Sequence, residues 1–145
     1  MDGKFVEVAG TGYAPVGEFY MDDVPVDFVK TPGVSSVLWV ATLNNDAQLE
    51  HEDQNGTSIY RIVGDPTEGA MLVAAAKAGV LISDLSDAYP RHKEIPFDSA
   101  RKRMVTIHKI QRINDEGPSP FHENEHLLKD AITAKGAPDE VLRLC

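Results

Sequence analysis

Cysteine is nearly absent: the only one among 145 residues is Cys145, the last. An intramolecular disulfide is excluded, so the fold rests on its core. Long apolar runs are missing as well. No stretch approaches the roughly 20 residues that a membrane-spanning helix needs. No signal peptide is expected, because Met1-Asp2-Gly3-Lys4 leads straight into a strand-like pattern. Positive charge is scarce, with 14 Lys and Arg against 23 Asp and Glu, a formal net charge of -9. That balance argues against a nucleic-acid backbone or an anionic membrane as partner. It also opposes an anionic ligand at long range, so a site for one needs cations gathered locally. Internal repeats and low-complexity segments are absent too.

What is there is ordinary for a globular chain: 42% hydrophobic and 26% charged residues. One domain is the expectation at this length, with about 70% of the unfolded surface buried. Phe5 to Ala9 reads as a strand, and Val16 to Tyr20 as its hairpin partner after the Gly10-Thr11-Gly12 break. Val34, Val37, Leu38 and Ala41 recur at helical spacing and predict a helix over about 32–44. Thr31 is its candidate N-cap, Pro32 its first residue, and Asn44-Asn45 its end. Gln48 to Gly56 is polar and reads as a loop, with Asn55-Gly56-Thr57 a turn and not a glycosylation site. Ser58 to Val63 reads as a strand.

Asp65-Pro66-Thr67-Glu68 is a helix start by chemistry, with Asp65 as cap and Glu68 third. The helix continues through an all-round apolar body, which predicts burial, and Gly79 stops it. A short helix over Ser83 to Ala88 follows. Lys93 to Phe97 and Met104 to Ile110 read as strands around a turn at Asp98 to Arg103. Asn114 to Pro120 reads as a loop, Leu127 to Ala134 as a strand, and Pro138 as the start of a last helix. Strands joined by turns, with helices between them, predict an α+β fold.

Three stretches carry Gly, Pro or charge where a core element would be apolar. They are Gly64-Asp65-Pro66-Thr67-Glu68-Gly69-Ala70, then Ile95-Pro96-Phe97-Asp98-Ser99-Ala100-Arg101-Lys102-Arg103-Met104, then Lys135-Gly136-Ala137-Pro138-Asp139-Glu140. The middle one sets a large aromatic beside three consecutive cations. An aromatic face accepts a flat base, and cations accept phosphates. In this order the three resemble the nucleotide-binding domain of a P-type cation-transporting ATPase, closest to the branch with calcium and sodium pumps. That family's forms are G-D/E-x-T/S-E-x-A, P-F-x-S-x-x-K/R-x-M and K-G-A-P-E. Asn44-Asn45-Asp46-Ala47 and Val8-Ala9-Gly10-Thr11-Gly12-Tyr13 add weaker agreement.

The resemblance implies a twisted antiparallel β-sheet flanked by helices. It implies that ATP is held by its adenosine end, with Mg2+ arriving on the nucleotide and liganded outside this chain. It implies phosphorylation and actuator domains as partners, and a place on the cytoplasmic face of a membrane without direct membrane contact by this chain. The family phosphorylates an aspartate in Asp-Lys-Thr-Gly-Thr, a motif this chain lacks. An excised module that binds ATP without turning it over is therefore expected.

By resemblance Phe97 stacks on adenine; the competing reading is a plain core Phe. Lys102 and Lys135 match the family's nucleotide lysines, Lys135 standing before Gly136, whose bareness lets a ligand approach the backbone. The competing reading makes Lys135 a strand-end lysine in solvent. Arg101 and Arg103 fit either a phosphate contact or a solvated turn. Ser99 stands where some calcium pumps place a phosphate arginine, and Asp139 is the shorter homologue of the usual Glu. Glu68 either completes a capping box or accepts the adenine amino group, and the two roles are compatible. His122-Glu123-Asn124-Glu125-His126 spells a zinc-hydrolase pattern. It lacks an apolar helical stripe and follows Gly117, Pro118 and Pro120, so a polar loop is the expectation. A zinc-dependent hydrolase and a non-catalytic interaction domain are the rival functions.

Overall fold

The computed structural model describes residues 3–28, 30–111 and 128–144. The fold is α+β, with antiparallel sheets flanked by helices. Its described strands fall into three sheets. The first joins β1 (Glu7–Val8), β2 (Phe19–Met21) and β3 (Val24–Pro25) in that order. The second is the hairpin of β4 (Gln48–Gln54) and β5 (Thr57–Val63). The third joins β6 (Arg91–Asp98), β7 (Arg103–Lys109) and β8 (Asp130–Gly136). Among the described residues four helices accompany them: α1 (Pro32–Leu43), α2 (Pro66–Lys77), α3 (Ile82–Ala88) and α4 (Pro138–Leu142).

Among the described residues two clusters form the core. Phe19, Val34, Leu38 and Ala75 join β2 to α1 and α2, and Phe28 meets Phe19 edge-on at 5.2 Å between ring centroids. Trp39, Leu43, Leu85, Ala88 and Tyr89 join α1 to α3, with Trp39 edge-on to Tyr89 at 5.1 Å. Of the apolar positions that predicted α1, Val34, Leu38 and Ala41 are buried, whereas Val37 is exposed.

Gln48 to Gln54 is a strand, not the loop expected from its polarity. It pairs residue for residue with β5, from Gln48 opposite Val63 to Gln54 opposite Thr57. The turn between them is Asn55-Gly56, both left-handed, with φ of 54° and 79°. Asn-Gly closes two-residue hairpins because both residues tolerate that conformation. Thr31 does not cap α1 through its side chain; its hydroxyl donates back to the Asp27 carbonyl. Asp65 does cap α2, its Oδ1 accepting from the N–H groups of Thr67 at 2.8 Å and Glu68 at 3.1 Å. Those two donors hold the Asp65 carboxyl below its usual range.

Under the third sheet runs a buried polar chain. Thr106 Oγ1 lies 2.6 Å from Thr133 Oγ1 and 2.8 Å from His108 Nε2, while His108 Nδ1 lies 2.9 Å from the Tyr89 carbonyl. A carbonyl only accepts, so Nδ1 carries the hydrogen. In the neutral ring Nε2 then accepts from Thr106, and Thr106 accepts from Thr133. Burial holds the His108 pKa below its ordinary value. Asn44, at the C-terminal end of α1, donates from Nδ2 to the carbonyls of Met104 at 3.2 Å and Thr133 at 3.0 Å. The helix is thereby fastened across β7 and β8.

Candidate functional site

The third sheet brings two of the three singled-out stretches together. Asp98 pairs with Arg103 and Arg103 with Gly136, while Met104 pairs with Lys135. The end of β6, the start of β7 and the end of β8 therefore share adjacent rungs. Met104, Thr106 and His108 are buried on β7, alternating with partly exposed residues. Lys135 faces Met104 across the ladder, so it shares the inward face.

Phe97 lies at an irregularity in this ladder. Ile95 pairs with Val105 and Asp98 with Arg103, so three steps on β6 match two on β7. The extra residue makes a bulge at Pro96-Phe97. Pro96 has no N–H to give the ladder, which favours a bulge there, and bulges re-aim the side chains they carry. Phe97 is 63% exposed. It is no core residue, and one of its two readings is removed.

The Asp98 to Lys102 turn is braced by its own first residue. Asp98 Oδ1 accepts from the N–H groups of Ala100 at 3.0 Å and Arg101 at 2.9 Å, which lowers its pKa. Lys102 adopts a left-handed φ of 49°, its N–H donating to Asp98 O and its carbonyl accepting from Ala137 N at 3.0 Å. Ser99, Arg101 and Lys102 are all exposed on this turn. The Arg101 guanidinium stays near it, with Nε 3.8 Å from Asp98 Oδ1. Arg103 faces Glu140 at 3.7 Å. Gly136 has a structural reason to be bare. A Cβ there would sit 2.3 Å from the Lys102 carbonyl oxygen and 2.7 Å from Arg103 Cα. The approach that its bareness permits is that of the neighbouring turn.

The third stretch arrives through α2. Glu68 Oε1 accepts from Lys135 Nζ in an ion pair whose side chains are only 18% and 22% exposed. Glu68 Oε2 accepts from the N–H groups of Asp46 at 2.9 Å and Ala47 at 3.2 Å. Two expectations change. Lys135 lies inside β8, paired to a carboxylate, and is no strand-end lysine in solvent. Glu68 does not form the back half of a capping box; its oxygens turn instead to the α1–β4 connection and to Lys135. A carboxylate has about four acceptor sites, so three donors leave Glu68 roughly one.

Sequence reasoning missed the residues that hold Glu68. Asn45 Nδ2 donates to the carbonyls of Ala41 at 3.1 Å and Glu68 at 2.9 Å, and its Oδ1 accepts from Ala47 N at 2.9 Å. Arg91 reaches the same connection from β6. Only the Asn44-Asn45-Asp46-Ala47 run carried any signal for this. His122 to His126, the zinc pattern, lies outside the described residues. Among the described residues, no group of three or more His, Cys, Asp or Glu could hold a metal ion.

Exposed Phe97, with Arg101 and Lys102 on the turn after it, and the mostly buried Glu68–Lys135 pair thus meet neighbouring rungs at one end of the third sheet. Residues 33–145 match the family model of the P-type ATPase cytoplasmic domain N. The chain belongs to that family. It is 42% identical over 112 residues, 73% of its length, to the cation-transporting ATPase pma1 of Synechocystis. It is 38% identical over 141 residues, 97% of its length, to a probable cation-transporting ATPase F of Mycobacterium bovis. To a calcium-transporting ATPase of Bacillus subtilis it is 34% identical over 141 residues, again 97% of its length. The aligned part makes up 12%, 13% and 14% of these three relatives. This N domain presents its candidate surface openly: a cleft of about 220 Å3 lies elsewhere, among Phe28, Ser35, Trp39, Val80 and Asp84. Among the described residues, no single helix is long and apolar enough to cross a membrane.

Proposed function

We propose that this N domain binds ATP by its adenosine end and presents the γ-phosphate to a separate phosphorylation domain of a cation pump of the calcium- and sodium-pump branch. The observation that carries the reading is the bulge at Pro96-Phe97, which leaves an aromatic face exposed beside Arg101 and Lys102 and one rung from Lys135. Adenine stacks on Phe97, an interaction worth about 1–3 kcal/mol. Its amino group donates to the remaining acceptor site of Glu68. Arg101 and Lys102 lie on the exposed turn where phosphates can reach them, with Ser99 as a hydroxyl donor beside them. Lys135 acts at short range by keeping Glu68 in place and the local charge balanced. The bare Gly136 lets the turn bearing these groups close on β8.

The residues present fit a nucleotide but not its metal. Glu68 and Asp98 already accept from backbone N–H groups, and among the described residues no group of three or more His, Cys, Asp or Glu could hold a metal ion. In this reading Mg2+ comes with the nucleotide, and its protein ligands belong to the phosphorylation domain. When that domain is docked, the metal neutralises charge on the transferring phosphoryl group. The contribution of this chain is positioning. In this reading the chain is one module of a membrane pump, on the cytoplasmic side, with phosphorylation and actuator domains as partners.

Titrating the chain with ATP, followed by calorimetry or by Phe97-region amide shifts, tests this. One stack and a few charged hydrogen bonds must offset ligand immobilisation, leaving a net of about 4–6 kcal/mol, or roughly 0.05–1 mM. Binding in that range, little affected by removing Mg2+ and without turnover, is expected. Robust hydrolysis by the pure chain would contradict it.

A further inference from the structure

Arg91 opens β6, the strand that later carries Phe97, yet its guanidinium points at a different element. Nη1 donates to Asp46 Oδ1 at 2.6 Å and to Glu94 Oε2 at 2.9 Å. Nη2 donates to the carbonyls of Leu43 at 3.2 Å and Asn45 at 2.6 Å. Two of these four acceptors lie on the short connection from α1 to β4, and a third, the Leu43 carbonyl, ends α1 just before it. The Leu43 carbonyl is among those a helix end leaves without an intrahelical donor, and a cation is favoured there. The Arg91 side chain is 30% exposed and that of its partner Asp46 54%, so the pair is partly solvated.

That connection is also what orients Glu68. The N–H groups of Asp46 and Ala47 point at Glu68 Oε2, and Asn45 Nδ2 holds the Glu68 carbonyl. Residues 43–47 thus stand between a guanidinium on one side and a carboxylate on the other. We infer that Arg91 is a positioning residue: it clamps residues 43–46 so that the Asp46 and Ala47 amides aim the Glu68 carboxylate, and so sets how strictly the site selects adenine. The inference rests on the proposed role of Glu68 towards the base. Lysine cannot replace Arg91. Four acceptors in different directions match a planar fork of two terminal nitrogens; a single ammonium with three donors cannot span them.

The selection follows from hydrogen-bond chemistry. An ionised carboxylate only accepts; adenine offers an amino donor where guanine offers an acceptor oxygen. A fixed carboxylate therefore favours ATP over GTP, and one free to swing away does not. The test uses the whole chain and measures affinity for ATP and for GTP in wild type, Arg91→Lys, Glu68→Gln and the double variant. Amide hydrogen exchange of Asp46 and Ala47 is followed in the same proteins, and melts check folding. Arg91→Lys should shrink the ATP/GTP preference about three- to tenfold, the share of a charge-assisted hydrogen bond lost when its acceptor is loosened. The two amides should exchange faster, and in the Glu68→Gln background Arg91→Lys should change the ratio no further. An unchanged ratio and unchanged exchange in Arg91→Lys, with Glu68→Gln still narrowing the gap, would overturn the role of Arg91 alone. A wild type that binds both nucleotides equally would overturn the base reading and the inference with it.

Discussion

Replacing Lys135 with Met keeps most of the aliphatic stem and removes the charge. Glu68 then loses one donor but keeps two, the N–H groups of Asp46 and Ala47. The cost lies between two limits. Exposed ion pairs contribute about 0.2–1 kcal/mol, and breaking a fully buried one costs about 3–5 kcal/mol. With 22% and 18% of the side chains exposed and two donors remaining, about 1–2 kcal/mol is the expectation. For a domain of this size that lowers the melting temperature by about 2–8 °C. Glu68→Gln alone should cost a similar amount. Once Lys135 is Met, most of that cost should vanish, because the partner charge is gone. Four melts, for wild type, both single variants and the double, measure the coupling. Additive losses would show that the pair does not form in solution. The same variants distinguish where Lys135 acts on a ligand. A lysine held by Glu68 influences the base through that carboxylate, so Lys135→Met should weaken ATP and adenosine alike. A selective loss for ATP would mean that Lys135 leaves Glu68 for the phosphates, and the positioning argument would fall.

Phe97→Ala should weaken ATP by about 1–3 kcal/mol while the melting temperature barely moves, since the ring is mostly exposed; a melted domain would return Phe97 to the core. Gly136→Ala should cost about 1–3 kcal/mol in a denaturant titration, because the added Cβ collides with the Lys102 carbonyl, and wild-type stability would refute that close approach. Stability should fall as pH drops below about 6.5, since unfolded His108 takes a proton that the folded, buried ring binds less readily. That loss ends once pH lies below the lowered folded value. Asp65, Asp98 and Asp130, whose pKa values are also depressed, contribute above 3.8 and lose their contribution only below it. His108→Gln should therefore flatten urea midpoints between pH 5 and 6.5, and an unchanged slope there would remove His108 as its source.

Local chemistry determined much of this protein without any view of the whole. Asp65-Pro66 starts a helix because the cap and its two N–H donors are two and three residues apart. Asp98 makes its turn because its carboxylate reaches N–H groups two and three residues ahead. The motif order determined the family by itself. One local signal was passed over: Asn55-Gly56 already specified a hairpin, but Gln48 to Gln54 lacks the apolar alternation that identifies a half-buried strand. Its strand character comes from pairing with β5, not from burial. The candidate site was legible as residue types and not as a geometry. Glu68 meets amides 21 and 22 positions away and a lysine 67 away; Arg91 reaches back 46 and 48 positions; Asn44 bonds across 60 and 89. No periodicity or turn rule connects such distances. A carboxylate's choice among a cap, a lysine and a pair of amides is made when packing brings the donors together, and there the burial of Lys135 beside Glu68 makes pairing the lower free energy.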